Sequence, residues 1–113
     1  NIHLGKYEPI NLDEFKKNRK YLVFSGIGNH QTFVSMIKKN GLEVLKDIEF
    51  SDHYTYTKED IDKILNEADN LNCEIITTEK DFLRLNNYNV NEIKIMKAEL
   101  KIIDEDKFIK SII

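Results

Sequence analysis

Along the chain the first sustained apolar run is Tyr21-Leu22-Val23-Phe24, and it ends in the turn formers Ser25-Gly26-Ile27-Gly28-Asn29. A short continuous run bounded in this way predicts a buried strand entering a tight turn. From Gln31 to Asn40 the apolar residues Phe33, Val34 and Ile37 fall at helical spacing, and Asn40-Gly41 offers the left-handed residue that closes many helices. Val44, Lys46, Ile48 and Phe50 then alternate as one face of a second strand, expected to stop at Ser51-Asp52-His53. The best-marked helix follows, with Ile61, Ile64, Leu65, Ala68 and Leu71 on one face and Thr57 and Asp60 spaced as a capping box. Cys73 to Thr77 predicts a third strand. Thr78 can cap a helix that carries Phe82, Leu83 and Leu85 inward, Ile93 to Met96 predicts a fourth strand, and Asp104 to Ile113, with Phe108, Ile109 and Ile112, a closing helix. Residues 1–20, which include Pro9, give no clear pattern.

Strands alternating with helices of about ten residues build right-handed parallel βαβ units. The expected fold is therefore α/β: a three-layer α/β/α sandwich around a mostly parallel sheet of four to five strands, Rossmann-like, spanning 21–113 behind a separate segment 1–20. The first strand, the most uniformly apolar, is expected at the centre of the sheet, where both faces are covered. In such sheets ligands bind beyond the carboxyl ends of the strands. Three polar clusters fall there: Ser25 to Asn29, Asp52-His53, and Thr77 to Asp81.

Composition narrows the possibilities. With 113 residues, 41% of them hydrophobic, the chain has material for one core and not for two. The 17 basic and 20 acidic residues are mixed along it, leaving no basic stripe to track a phosphate backbone, so nucleic acid is not an expected partner. Cys73 is the sole cysteine, which rules out an internal disulfide, and its apolar neighbourhood suits packing. No apolar run approaches the ~20 residues that cross a bilayer, and Asn1 to Lys6 do not read as a signal peptide, so the chain itself is expected to be soluble. It starts at Asn1, as expected of a piece with further sequence upstream.

Each cluster admits a chemical and a plain reading. Ser25 to Asn29 could cradle an anion with backbone amides, but Gln31 stands where the dinucleotide fingerprint needs its third glycine; alternatively the two glycines permit the turn and Asn29 caps the helix. Gly5-Lys6 is followed by Tyr7, so the chain has no Walker-type loop. His53 could serve as a general base oriented by a carboxylate, Asp52 or another, or be a solvated loop histidine. Thr77-Thr78-Glu79-Lys80-Asp81, with Arg84 one turn on, supplies hydroxyls, carboxylates and an amine, but helix capping accounts for the same composition. His3, His30 and His53 lack the paired spacing of a zinc site, and no metal site is expected from this chain alone.

Taken in order, Phe24-Ser25-Gly26-Ile27-Gly28-Asn29, Phe33, Gly41, Asp52-His53, Tyr56-Thr57 and Thr77-Thr78-Glu79-Lys80-Asp81 resemble the carboxy-terminal region of the tetraacyldisaccharide 4'-kinases, from about Tyr21 to Leu85. The chain departs from the family's usual pattern at His30 and Ser51, where proline is typical, and at Tyr54, where a second histidine is frequent. The resemblance implies an enzyme of two α/β/α domains, the first with a Walker-type loop holding Mg2+ and ATP, the second completing the cleft. This chain would be the second, with residues 1–20 leading in from the absent nucleotide-binding domain. The implied reaction moves the ATP γ-phosphoryl group to the 4'-hydroxyl of tetraacyldisaccharide 1-phosphate, giving lipid IVA at the cytoplasmic face of the bacterial inner membrane, with membrane contact through the missing part. His53 matches the family histidine that pairs with an aspartate of the first domain to take the proton from that hydroxyl. Asp52, Ser25, Gly26, Gly28, Asn29, Thr77, Thr78, Glu79, Lys80 and Asp81 are implied as supporting or cleft-lining residues. No cofactor is expected on this chain alone, which should be inactive by itself.

Two other classes compete with this reading. A non-catalytic α/β interaction or regulatory module would use the sheet as a scaffold, although a receiver domain needs acidic residues after its first strand and none stand there. A small hydrolase would need a glycine-x-serine-x-glycine elbow, which the sequence lacks.

Overall fold

The computed structural model describes residues 4–85, 88–103 and 108–112, and these form two sheets. The elements are β1 (Leu4–Pro9), a 3₁₀ turn (Leu12–Glu14), β2 (Lys20–Ser25), α1 (His30–Lys39), β3 (Glu43–Glu49), α2 (Lys58–Leu71), β4 (Glu74–Thr77), α3 (Glu79–Leu83), β5 (Ile93–Ile95), β6 (Ala98–Ile103) and β7 (Phe108–Ile112). The larger sheet is parallel, in the order β3-β2-β4-β5.

β2 lies inside this sheet, and its continuous apolar run is explained by what covers each face. Tyr21 and Val23 pack with Phe33, Val34 and Ile37 of α1. Leu22 and Phe24 pack with Ile61, Ile64 and Ala68 of α2. Side chains alternate across a strand, so a run buried on both faces needs a layer on each side, and the three-layer α/β/α arrangement supplies it.

The second strand differs in one detail from the simple alternation. Tyr21 pairs with Val44 but Leu22 pairs with Lys46, leaving Leu45 as an extra, exposed residue. This bulge turns Val44 toward the α1 side while Ile48 and Phe50 face α2, so the four residues do not share a face. Lys46 reaches Glu67 of α2 at 2.8 Å, and Asp47 points to the α1 side.

The helix starts follow their capping residues. Thr57 accepts from the Asp60 amide while the Asp60 carboxylate accepts from Thr57, a complete capping box, and Asn72 closes α2 in the left-handed conformation. Thr78 accepts from the Asp81 amide at 3.0 Å. Leu83 was expected to point inward but is 67% exposed, because α3 is little more than one turn and turns its other face, with Phe82 and then Leu85, to the core.

The chain ends carry a second sheet that the hydrophobic pattern did not show. It is antiparallel in the order β1-β6-β7, pairing Pro9 with Ala98 and Ile102 with Ile109. Residues 108–112 are thus strand where a closing helix was expected; so short an apolar segment fits both periodicities, and pairing with β6 decides it. The remaining residues of that expected helix, 104–107 and 113, lie outside the described residues. Buried Asn11 ties the two sheets, donating to the Ile95 carbonyl and accepting from the Lys97 amide, each at 2.8 Å.

Candidate active site

Connections in the parallel sheet run from β2 to β3 on one side and then from β3 past β2 to β4 on the other, with α1 and α2 on opposite faces. The loops after β2 and β4 diverge at this reversal, the position where doubly wound sheets open a crevice. The loop after β3 folds onto the same edge: Phe50 donates its amide to the Ser25 carbonyl at 2.8 Å, and His53 donates its amide to the Gly26 carbonyl at 3.1 Å. All three polar clusters therefore meet.

Gly26 is the junction. A Cβ there would stand 2.9 Å from the Ser51 carbonyl oxygen and 3.1 Å from the Tyr54 Cβ, so only glycine lets the two loops approach this closely. Its amide donates to Asp81 Oδ1 at 2.9 Å. The anion held by the Gly26 amide is thus the protein's own carboxylate.

Asp81 is fully buried and each of its oxygens is engaged. Oδ1 accepts from Gly26, from the Tyr56 hydroxyl at 2.8 Å and from Arg84 Nη1 at 3.3 Å, and Oδ2 accepts from the Thr78 hydroxyl at 2.6 Å. A buried carboxylate is tolerated when it is paired and hydrogen-bonded in this way. Burial first, and then the charge of Asp81, pushes the Tyr56 hydroxyl far above the usual phenol range, so Tyr56 stays a donor.

The loop 50–57 rests on aromatic rings. Phe50 packs on Tyr54 and Tyr56 with centroids 4.7 and 5.1 Å apart, and Phe24 meets Tyr56 edge-on at 5.6 Å. Tyr54 donates to Asp60 Oδ2 at 2.8 Å. Burial works against the Asp60 carboxylate, but hydrogen bonds from the Thr57 amide, the Tyr54 hydroxyl and the Thr57 hydroxyl outweigh it and hold its pKa below the ordinary value.

Upon this base His53 stands with φ 59, a left-handed conformation uncommon outside glycine, and its side chain is 83% exposed. Its Nδ1 lies 3.4 Å from Arg84 Nη2, while Nε2 is 3.7 Å from Asp52 Oδ2, an ion-pair distance rather than a hydrogen bond. The orienting group in contact with the ring is thus Arg84, more than Asp52.

Residues expected to line the edge divide into two tiers. Gly28, Asp52, His53 and Lys80 are exposed, and Asn29 and Glu79 partly so. Ser25, Gly26, Thr77, Thr78 and Asp81 are buried, and act from beneath as a floor; Thr77, for example, donates to the Phe24 carbonyl at 2.8 Å. Asn29 occupies the cap position of α1 but its side chain makes no cap hydrogen bond. Arg84 and Tyr56 carry more of the site than composition suggested. Their signals were the three-residue step from Asp81 to Arg84 on one helical turn and a tyrosine just before a helix cap.

His30 has a separate role. Its Nδ1 lies 2.5 Å from Ser25 Oγ and its Nε2 2.7 Å from Asp47 Oδ2. The three residue types are those of a nucleophilic triad, but Ser25 and His30 are buried, so no substrate carbonyl reaches the hydroxyl. The arrangement joins β2, α1 and β3. Among the described residues no group of three or more His, Cys, Asp or Glu could hold a metal ion, and no helix is long and apolar enough to cross a membrane.

Fold and site together define a doubly wound, Rossmann-like α/β domain with an exposed histidine held at its switch-point edge. The family model described as "Tetraacyldisaccharide-1-P 4'-kinase" matches residues 3–113, well beyond the stretch from Tyr21 to Leu85 that carried the resemblance. The chain belongs to this family. It is 54% identical over 113 residues to "Tetraacyldisaccharide 4'-kinase" of Pelagibacter ubique (strain HTCC1062), covering 100% of this chain and 36% of that protein. Against the protein of the same description from Rickettsia akari (strain Hartford) it is 39% identical over 90 residues, 80% of this chain and 27% of the relative. The chain thus spans about a third or less of the curated relatives it matches. A crystal structure described as the "apo" form of LpxK from Aquifex aeolicus in complex with ATP superposes with a TM-score of 0.51 and 23% identity, over 92% of this chain and 32% of that one, a likeness of fold.

Proposed function

We propose that this chain is the carboxy-terminal lobe of a lipid A 4'-kinase, which transfers the γ-phosphoryl group of ATP to the 4'-hydroxyl of tetraacyldisaccharide 1-phosphate to give lipid IVA. ATP and Mg2+ belong to an amino-terminal lobe of the same polypeptide, since these 113 residues contain no Walker-type loop. Residues 1–20, whose strand β1 pairs with β6 of this chain, carry the chain from that lobe into the α/β domain at 21–113, and the membrane contact at the cytoplasmic face is made by the rest of the protein.

The observation that carries this reading is the presentation of His53: an exposed imidazole on a loop hydrogen-bonded to Gly26, at the switch-point edge of the sheet. Phosphoryl transfer depends on positioning and charge stabilisation, with a group near the acceptor oxygen to receive its proton. In this assignment His53, with an aspartate of the other lobe, accepts the proton of the 4'-hydroxyl, and Lys80, Glu79, Asn29 and Asp52 shape the surrounding wall. The two tiers divide labour: exposed residues meet substrate or the other lobe, and the buried tier fixes where they stand.

In the full-length enzyme His53→Ala is expected to lower kcat by about 10²- to 10⁴-fold, the usual contribution of a positioned acid-base group, with nucleotide affinity nearly unchanged. Steady-state kinetics with nucleotide binding measured separately tests this. Wild-type turnover in that variant would remove His53 from the reaction.

A further inference from the structure

We infer that Arg84 is a positioning residue that fixes the ring of His53 and selects its tautomer; this rests on the reading of His53 given above. The guanidinium sits between the buried floor and the exposed edge, with its side chain 24% exposed. Nη1 donates to the Gly26 carbonyl at 3.0 Å and to Asp81 Oδ1 at 3.3 Å, and Nη2 lies 3.4 Å from His53 Nδ1. The Gly26 carbonyl also accepts the His53 amide at 3.1 Å. Backbone and ring of His53 are thus joined in one closed circuit through Gly26 and Arg84.

The chemistry of that contact has a direction. A guanidinium only donates, so the ring nitrogen facing it must offer a lone pair. Nδ1 is therefore the unprotonated nitrogen and Nε2 carries the ring hydrogen. Nε2 faces outward beside Asp52, with room for a partner from outside the chain. The resting His53 consequently presents an N–H on Nε2 to the other lobe, suited to hold a carboxylate there, while its one lone pair, on Nδ1, lies at the long 3.4 Å contact with Arg84, a contact the 4'-hydroxyl displaces when it hands its proton to the ring. Asp81 in turn holds Arg84 by the paired charge, and Thr78, Tyr56 and Gly26 hold Asp81.

Arg84→Lys and Arg84→Gln in the full-length enzyme separate positioning from folding. Lysine keeps a cation beside Asp81 but lacks the planar fork that spans three acceptors. Arg84→Lys is expected to retain the wild-type unfolding midpoint within experimental error and lose part of the rate. Arg84→Gln should lose about 10- to 100-fold in kcat, as small misplacements of a reacting group do, with the KM for ATP unchanged. The decisive readout is the ¹⁵N spectrum of the His53 imidazole. The wild-type spectrum should show Nδ1 as the nitrogen without hydrogen, and both variants should show the averaged signals of a tautomer mixture. Unchanged ¹⁵N signals in Arg84→Lys, or wild-type kcat in both variants, would overturn the inference. The spectrum needs no turnover, so it fails or holds independently of the kinase reading, which the His53→Ala kinetics decide.

Discussion

Gly26 and Gly28 lie two residues apart in one turn, yet space treats them differently. A methyl group on Gly26 would press on the Ser51 carbonyl and the Tyr54 Cβ, both parts of the loop that carries His53, whereas one on Gly28 would meet only Asp52 Oδ2 at an ordinary 3.6 Å. Gly26→Ala is therefore expected to destabilise the domain by about 1–3 kcal/mol, the usual cost of overpacking, and to lower turnover by displacing His53. Gly28→Ala should stay within roughly 0.5 kcal/mol of wild type. Urea unfolding of the two variants, with kcat of the full-length enzyme, provides the comparison; equal stabilities would mean that the close approach at Gly26 is not what holds the loop. His30 shows the same dependence on surroundings: it bonds the Ser25 hydroxyl and the Asp47 carboxylate and so clamps β2, α1 and β3 together.

Among the elements, α2 has the most distinct start, and its capping box predicts how stability responds to acid. Asp60 has a pKa held below its ordinary value in the folded state, so it contributes stability above the unfolded pKa that is lost as the pH falls through the folded one. The stability gap between wild type and Asp60→Asn should accordingly be widest near neutrality and narrow below about pH 4. Urea midpoints across that range measure it, and a constant gap would show that the carboxylate charge is not the source. The cap, the apolar stripe of α2 and the run in β2 were legible in sequence because each is set by residues close along the chain. The bulge at Leu45 was not, since it is defined by the register against Tyr21 and Leu22 and alters which side Val44 faces. The strand at 108–112 was missed for the same reason: its partner β6 decides its form. Within the site, sequence order located the three loops, but burial of Ser25, Thr77 and Asp81 and the reach of Arg84 are properties of the folded edge.

At the scale of the whole molecule, the proposed division of labour leaves this chain with an anchored histidine and no means of holding ATP. The 113-residue protein alone, given Mg2+, ATP and the disaccharide, is expected to transfer no phosphate above the uncatalysed rate; radiolabel transfer to the lipid at a rate near that of the full-length enzyme would refute the division. The junction at Asn11 bears on how the molecule comes into being. Asn11 bonds the Lys97 amide, 86 residues away, and among the described residues the strand that pairs with β1 is β6. With chain growth of about 5–20 residues per second, β1 leaves the ribosome on the order of ten seconds before β6 exists. During that interval β1 lacks the neighbour it has in the finished fold, so the stretch Leu4–Pro9 is where nascent-chain chaperones have something to protect.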